Sequence, residues 1–174
     1  NKVRNIPNFI YILYEKNGDE KRLIASITKI MTCIIALENG NLEKDIKAGE
    51  EILKMYGTSI YLELNEKMKL IDLLYGLMLC SGNDAAVALA EHAGGSIEGF
   101  AELMNRKATE LHLDNTHFET PHGLDSDNHY TTAYELAILS NYALKNETFS
   151  KIVGTKNCTI SINGYPKNIS NTNE

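Results

Sequence analysis

Ser26 and Lys29 are the residues of this chain whose types and spacing first indicate chemistry. They lie three positions apart at the start of a run that is typical of a helix, so their side chains occupy neighbouring positions on one helical face. A serine hydroxyl becomes a nucleophile when a neighbouring base takes its proton. The pair therefore predicts a nucleophile, Ser26, beside a general base, Lys29. The alternative is an exposed lysine next to a serine that caps the helix.

Lys29 can act as a base only when its amine is neutral, and the unperturbed lysine pKa of about 10.4 prevents this at pH 7. Two features would lower the pKa. The first turn of a helix disfavours a cation because of the helix macrodipole. Burial in a cleft removes the water that stabilises an ammonium group. We therefore expect Lys29 to be buried at a helix N-terminus.

Ser81-Gly82-Asn83 is the second pattern with chemical potential. It follows an apolar segment, residues 70–80, that is predicted to form a buried helix, and it precedes an alanine-rich helix. A turn between two buried helices can aim a hydroxyl and an amide into the cleft of the serine–lysine pair. Ser81 would relay a proton to a leaving amine, and Asn83 would bind a peptide-like substrate. The alternative is a plain turn and N-cap, which Ser, Gly and Asn all favour.

The composition excludes several functions. With 174 residues, 43% hydrophobic and 23% charged, the chain has the size and composition of one soluble globular domain. Its net charge of −6 argues against nucleic acid or an anionic membrane as the main partner, since both favour clustered Lys and Arg. No apolar run approaches the roughly 20 residues of a membrane-spanning helix. A signal peptide is not visible, as would also be true of a trimmed mature chain.

The side chains that could bind metal form no tight cluster, and we expect neither a metal nor a cofactor. The three cysteines, Cys33, Cys80 and Cys158, lack the spacing of zinc or redox motifs. Cys33 and Cys80 occupy apolar positions of predicted helices, where a free cysteine behaves as a small hydrophobe. We therefore expect both to be reduced thiols in the core.

The elements are predicted in the order strand pair, helices, strand pair. Residues 9–14 and 21–24 flank an Asn-Gly-Asp turn and predict a hairpin, and residues 158–162 and 165–169 flank Asn163-Gly164 and predict another. Helices are predicted from Ser26 to a left-handed cap at Gly40, over 70–80 and 84–93, from Ser96, and from Thr131 or Thr132 to Leu144. Residues 42–69 are expected to be irregular, and 116–128 to form a long loop. We infer an α/β chain of α+β type, one antiparallel sheet with a helical layer inserted.

Taken together, these motifs resemble the D-alanyl-D-alanine carboxypeptidases, the low-molecular-mass penicillin-binding proteins of serine peptidase type. The resemblance implies a single catalytic domain over residues 1–174 with a β-lactamase/transpeptidase-like fold. The segments that carry it span almost the whole chain in family order: Leu13-Tyr14-Glu15-Lys16-Asn17, Ala25-Ser26-Ile27-Thr28-Lys29-Ile30-Met31-Thr32, Leu77-Met78-Leu79-Cys80-Ser81-Gly82-Asn83-Asp84-Ala85-Ala86, Thr120-Pro121-His122-Gly123-Leu124 and Tyr130-Thr131-Thr132-Ala133.

The resemblance also implies a reaction. Ser26 would attack the carbonyl between the two terminal D-alanines of a peptidoglycan stem peptide and become acylated, with Lys29 as general base. Ser81 would pass a proton to the departing D-alanine, and Asn83 would orient the substrate and the lysine. Water would then release the acyl group. β-Lactam antibiotics would acylate Ser26 in the same way but leave slowly. The family implies an extracytoplasmic place in the cell envelope, commonly with a membrane anchor beyond the catalytic domain.

The third family motif, Lys-Thr-Gly on a strand at the edge of the cleft, does not occur before the chain ends at Glu174. In the family it supplies charge for the substrate carboxylate, and its strand supplies the second oxyanion donor; loss of one such donor typically costs about 10²–10³ in rate. If the chain is the entire polypeptide, its sheet is incomplete at the C-terminus. We would then expect a weak enzyme or an inert penicillin-binding-like scaffold.

A class A β-lactamase is the second enzyme that fits the serine and lysine pattern. It requires a glutamate for deacylation in a loop after the Ser-x-Asn turn. The Glu-Leu-Asn segment of this chain, residues 63–65, precedes Ser81. The order of the motifs therefore favours the carboxypeptidase.

Overall fold

The computed structural model describes residues 12–124 and 126–172. Within them, helices are packed around one another and the strands form antiparallel pairs. Short 3₁₀ helices cover Ala25–Thr28 and Glu50–Lys54. The other elements, in chain order, are β1 (Arg22–Leu23), α1 (Lys29–Asn39), β2 (Asp45–Lys47), β3 (Lys67–Lys69), α2 (Leu70–Leu79), α3 (Asn83–Gly94), α4 (Ile97–Glu110), β4 (Tyr130–Thr131), α5 (Ala133–Leu144), α6 (Glu147–Val153), β5 (Asn157–Ile162) and β6 (Tyr165–Ser170).

Helix α3 lies at the centre of the helical layer. Residues 85–90 of this helix are all buried, and four of these six are alanines. Small side chains allow close helix packing, and α1, α2 and α4 all contact α3. Helix α1 presents the predicted apolar stripe to this core, with Cys33 and Ile34 buried there. This packing fixes the start of α1 relative to the start of α3, which positions the site described below.

The helix ends confirm most of the predicted caps. Ser96 Oγ accepts a hydrogen bond from Gly99 N at 3.0 Å, and Thr132 caps α5 in the same way. Gly95 ends α3 in the left-handed conformation, with φ of 74°. The left-handed cap predicted at Gly40 is wrong, since its backbone is extended. A side chain at Gly40 would overlap Leu70, so the glycine permits close contact between the end of α1 and α2.

The predicted N-terminal hairpin is wrong in its pairing. Residues 9–11 lie outside the described residues, and residues 12–14 do not form a strand. The turn itself is present, with Glu20 N donating to Asn17 O at 3.1 Å. Strand β1 pairs instead with β4, Arg22 opposite Thr131. Because β1 ends just before the Ser26 turn, this pairing brings the loop before β4 next to the start of α1.

Strands β2, β3 and β4 and helix α6 were not predicted from the sequence, and the single sheet that was predicted differs from the structure. Residues 42–69 contain the β2–β3 pair, in which buried Ile46 lies opposite buried Met68, and α6 was not anticipated. The C-terminal hairpin is confirmed as β5–β6, and the fold is an α+β mixture with antiparallel pairs. Among the described residues these pairs stay separate and do not join into one sheet. Across the same residues, every helix is too short or too polar to cross a bilayer.

Candidate active site

Lys29 is the first residue of α1 and directly follows the 3₁₀ turn that carries Ser26. Its Nζ lies 3.0 Å from Ser26 Oγ. The lysine side chain is buried, with 2% of its surface exposed, whereas Ser26 is exposed. A buried amine and an accessible hydroxyl therefore share one hydrogen bond, as their spacing predicted.

The Lys29 amine has two further partners, Asn83 Oδ1 at 2.8 Å and the carbonyl oxygen of His122 at 2.9 Å. Both oxygens can only accept hydrogen bonds. A neutral amine satisfies both with its two N–H groups, and its lone pair is then left for the Ser26 hydroxyl, which can donate. These contacts can therefore hold a neutral lysine in the orientation that a general base requires. An ammonium group can also be accommodated by donating to all three oxygens.

Burial lowers the pKa of Lys29 from 10.5 to about 8, while the negative charge of Asp84 acts in the opposite direction. An amine with a pKa of about 8 is neutral in about one molecule in ten at pH 7, against roughly one in several thousand for an ordinary lysine. The buried position predicted for Lys29 therefore makes the neutral form accessible near neutral pH.

Asn83 begins α3, and its side-chain amide is held from both sides. Its Nδ2 donates to Tyr56 O at 2.7 Å, and its backbone N donates to Thr58 O at 2.9 Å. Since Tyr56 O can only accept, the amide oxygen must face Lys29. Asn83 was predicted to orient the lysine and the substrate, and its bond from Lys29 Nζ is the contact by which it holds the lysine.

Ser81 adopts a left-handed backbone conformation, with φ of 54°, which is uncommon for a residue with a side chain. Its carbonyl accepts a hydrogen bond from Thr58 Oγ1 at 2.6 Å. Its own Oγ is buried and makes no hydrogen bond to another described residue. Ser26, Lys29 and Ser81 line one cavity of about 420 Å³. The structure thus brings the two predicted motifs to one cleft and leaves a hydroxyl there with unused hydrogen-bonding capacity.

Asp84 is a buried carboxylate next to the site that sequence analysis did not single out. It accepts hydrogen bonds from Ser59 Oγ at 2.6 Å, Ile60 N at 3.0 Å and Leu62 N at 2.9 Å. These bonds hold residues 59–62 against the start of α3. An acidic residue in the first turn of an apolar helix was the available signal. By contrast, residues 63–65 form an exposed turn before β3.

The loop that contains Pro121-His122-Gly123 lies across the start of α1. Thr32 Oγ1 donates to Pro121 O at 2.6 Å, one helical turn after the bond from Lys29 to His122 O. Gly123 has φ of 82°, and a side chain there would overlap Ala25 O. The family resemblance includes this segment, but no role was predicted for it. Its contribution comes from backbone carbonyls, which side-chain identities do not reveal.

The imidazole of His122 is buried beside Lys29. Burial, followed by the charge of Lys29, lowers the pKa of His122 to about 4. Its Nδ1 accepts a hydrogen bond from Leu124 N at 3.1 Å. His122 is therefore neutral at pH 7 and adds no charge to the lysine pocket.

In the described part of the chain, no three His, Cys, Asp or Glu side chains are arranged to hold a metal ion.

Comparisons with known proteins agree with this geometry. A family profile described as D-alanyl-D-alanine carboxypeptidase matches residues 9–174. The D-alanyl-D-alanine carboxypeptidase DacF of Bacillus subtilis is 42% identical over 149 residues, which cover 83% of this chain and 38% of the relative. A D-alanyl-D-alanine carboxypeptidase of Streptomyces sp. strain K15 is 38% identical over 158 residues, covering 83% of this chain and 54% of that relative. The chain therefore spans only part of the length of these relatives.

Solved structures share the fold. The crystal structure of the Streptomyces K15 DD-transpeptidase superposes with a TM-score of 0.86 at 34% identity, over 92% of this chain and 68% of that one. Penicillin binding protein 6B from Escherichia coli superposes with a TM-score of 0.80 at 31% identity, over 91% of this chain and 52% of that one. The predicted fold class is thereby confirmed. The chain belongs to the D-alanyl-D-alanine carboxypeptidase family.

Proposed function

We propose that the protein carrying this chain is a serine-type D-Ala-D-Ala carboxypeptidase that trims peptidoglycan stem peptides. The observation that carries the proposal is the buried amine of Lys29, 3.0 Å from accessible Ser26 Oγ, with two acceptor oxygens holding its N–H groups. That arrangement suits a neutral lysine base, which an acyl transfer to serine requires.

In the acylation step, neutral Lys29 takes the proton of Ser26 while Oγ bonds to the carbonyl carbon between the two terminal D-alanines. The carbonyl oxygen becomes an oxyanion, and the backbone N–H of Ser26 donates to it. Lys29 becomes an ammonium group, which donates to all three of its oxygen partners. The step consumes one proton acceptor and leaves one protonated lysine.

Collapse of the intermediate breaks the peptide bond and requires a proton on the departing amine. Ser81 relays that proton from Lys29, using the Oγ that makes no hydrogen bond to another described residue. D-Alanine leaves, and Lys29 is neutral again. Water then attacks the Ser26 ester, and Lys29 accepts its proton. The bond between Oγ and the carbonyl carbon breaks, Lys29 returns the proton to Oγ, and the trimmed peptide departs.

The partner and location follow from this chemistry. The substrate is a peptidoglycan stem peptide that ends in D-Ala-D-Ala, and β-lactam antibiotics acylate Ser26 as inhibitors. The relatives named as D-alanyl-D-alanine carboxypeptidases and the neighbour named a penicillin binding protein support both. Because peptidoglycan lies outside the cytoplasmic membrane, we place the protein in the cell envelope.

Intact-mass analysis after incubation with benzylpenicillin tests the proposal. We expect wild type to gain the mass of one penicilloyl group and Ser26→Ala to gain none. Ser170→Ala, an exposed serine of β6, is the matched control and should react like wild type. Absence of an adduct at high drug concentration would favour an inert scaffold, and rapid drug hydrolysis would favour a β-lactamase.

A further inference from the structure

His129 lies directly before β4, yet its imidazole reaches the turn that carries the candidate nucleophile. Its Nε2 is 2.7 Å from Thr28 Oγ1, 101 positions earlier in the chain. We propose that His129 is a positioning residue that clamps the loop of residues 119–124 onto the start of α1 and so keeps the His122 carbonyl on Lys29. The catalytic consequence of this clamp rests on the proposed function, whereas the clamp itself does not.

The hydrogen bonds of His129 define its tautomer. The side chain is buried, with 1% exposed, and its Nδ1 accepts from Glu119 N at 3.0 Å. A peptide N–H can only donate, so Nδ1 carries no proton and Nε2 carries the ring proton. Nε2–H therefore donates to Thr28 Oγ1. One neutral ring thus joins the backbone of the loop to the side chain at the start of α1.

The loop contacts three positions at the start of α1. His129 holds Thr28, the His122 carbonyl holds Lys29, and the Pro121 carbonyl holds Thr32. The loop is also closed on itself, because Gly123 N donates to Thr120 Oγ1 at 3.1 Å. Two of the three contacts are made by backbone carbonyls of the loop. His129, which lies after the loop and bonds to its backbone at Glu119, supplies the side-chain contact of the three, so it is the contact that substitution can remove.

The imidazole of His129 is itself held in place. The ring of Phe118 packs edge-on against it with ring centres 5.7 Å apart. The backbone N of His129 donates to Ser126 O at 3.0 Å. Strand β4, which begins at the next residue, pairs with β1. Because β1 ends just before the Ser26 turn, the clamp connects two segments that the strand pair already brings together.

Removal of the clamp has a predictable effect on Lys29. Burial is the largest cause of its lowered pKa, the charge of Asp84 on α3 opposes it, and neutral His122 faces it from the loop. A loosened loop admits water to Nζ, so the pKa of Lys29 moves back toward its ordinary value. Each unit of increase reduces the neutral fraction at pH 7 about tenfold. The loss of activity should therefore be reversed at high pH, which a general loss of structure would not produce.

An NMR titration of the Lys29 side chain tests the clamp without requiring turnover. In wild type we expect a titration near pH 8. In His129→Ala and in Thr28→Val we expect the midpoint to rise by about one pH unit or more. The double variant should rise no further than the larger single shift, because both substitutions remove the same bond. His117→Ala, a histidine just before the loop that bonds to Asn128 O, is the matched control and should titrate like wild type.

The outcomes separate the clamp from the proposed function. A wild-type midpoint in folded His129→Ala and Thr28→Val would overturn the clamp, even if wild type forms a penicilloyl adduct on Ser26. A raised midpoint in the variants, with no adduct in wild type, would support the clamp and contradict the proposed function. If His129→Ala fails to fold, Thr28→Val decides, because valine keeps the β-branched shape and removes only the hydroxyl.

Discussion

The amine of Lys29 lies 2.8 Å from Asn83 Oδ1, although 54 positions separate the two residues in the chain. This bond joins the first residue of α1 to the first residue of α3. The packing of both helices in the buried core sets the distance. The serine–lysine pair and the Ser-Gly-Asn turn therefore form one site because two helix N-termini meet.

Replacement of Lys29 by methionine should change the pH dependence of stability. The pKa of Lys29 is about 8 in the folded state, below the value of 10.5 expected in the unfolded chain. Between these pH values the unfolded chain binds more protons, so this lysine makes stability increase with pH. The increase amounts to about 3 kcal/mol, from about 1.4 kcal/mol per pKa unit. Below pH 8 the amine is protonated in the folded and the unfolded state, and the buried ammonium group lowers the free energy of unfolding by this full amount.

Urea unfolding of wild type and Lys29→Met at pH 7 and at pH 10.5 measures this effect. We expect the methionine variant to be the more stable protein at pH 7 and to lose that advantage at pH 10.5. A constant difference in unfolding free energy across this range would show that Lys29 titrates normally in the folded protein.

Gly123→Ala should displace the loop from the start of α1. The residue has φ of 82°, and an added Cβ would overlap Ala25 O and lie 2.6 Å from Thr28 Oγ1. Gly164→Ala is the matched control, because Gly164 has φ of 83° and nothing within 4 Å of the added atom. The control should cost only the backbone strain of about 1–2 kcal/mol. Gly123→Ala should cost about 1–3 kcal/mol more from steric overlap and should slow acylation by benzylpenicillin.

The comparison of unfolding free energies and acylation rates in these two glycine variants isolates the steric contact. Equal destabilisation of both, with unchanged acylation in Gly123→Ala, would contradict the close approach of the loop to residues 25–28.

Asp84→Asn should destabilise the protein although the side chain keeps its shape. Oδ1 accepts from Ile60 N and Ala85 N, and Oδ2 accepts from Ser59 Oγ and Leu62 N. In either orientation the new amide nitrogen faces a backbone N–H that can only donate. We expect a loss of about 2–4 kcal/mol, since hydrogen bonds to charged groups contribute about 1.5–3 kcal/mol. Denaturant unfolding measures the loss, and Asp114→Asn, a substitution of an exposed aspartate, is the control. Equal stabilities of the two variants would show that the Asp84 carboxylate does not stabilise the protein through these hydrogen bonds.

The helices of the site could be predicted from local pattern. The apolar stripe of α1, the caps at Ser96 and Thr132 and the turn at Asn163-Gly164 depend on residues near in sequence. The strand pairs were harder to predict from the sequence. Strand β1 has two residues and pairs with a partner more than 100 positions away, so the local sequence holds no information about its pairing.

Spacing and resemblance sufficed to propose the four candidate site residues. The contacts that hold these side chains in place could not be predicted from the sequence. The hydrogen bonds of Lys29 to the His122 carbonyl and of Asn83 to the Tyr56 carbonyl use backbone atoms that every residue carries. Asp84 and His129 are buried polar side chains in segments whose pattern indicates only a helix start and a loop. Their roles depend on contacts that form only when distant segments pack together.

The pH dependence of Ser26 acylation tests the central claim most directly. With stopped-flow mixing and intact-mass detection, the rate of penicilloyl formation on wild type should rise about tenfold per pH unit below pH 8 and level off above it, because only the neutral Lys29 amine accepts the serine proton. An adduct on Ser26 that forms at the same rate from pH 6 to pH 9 would contradict the account, as it would require a base other than Lys29.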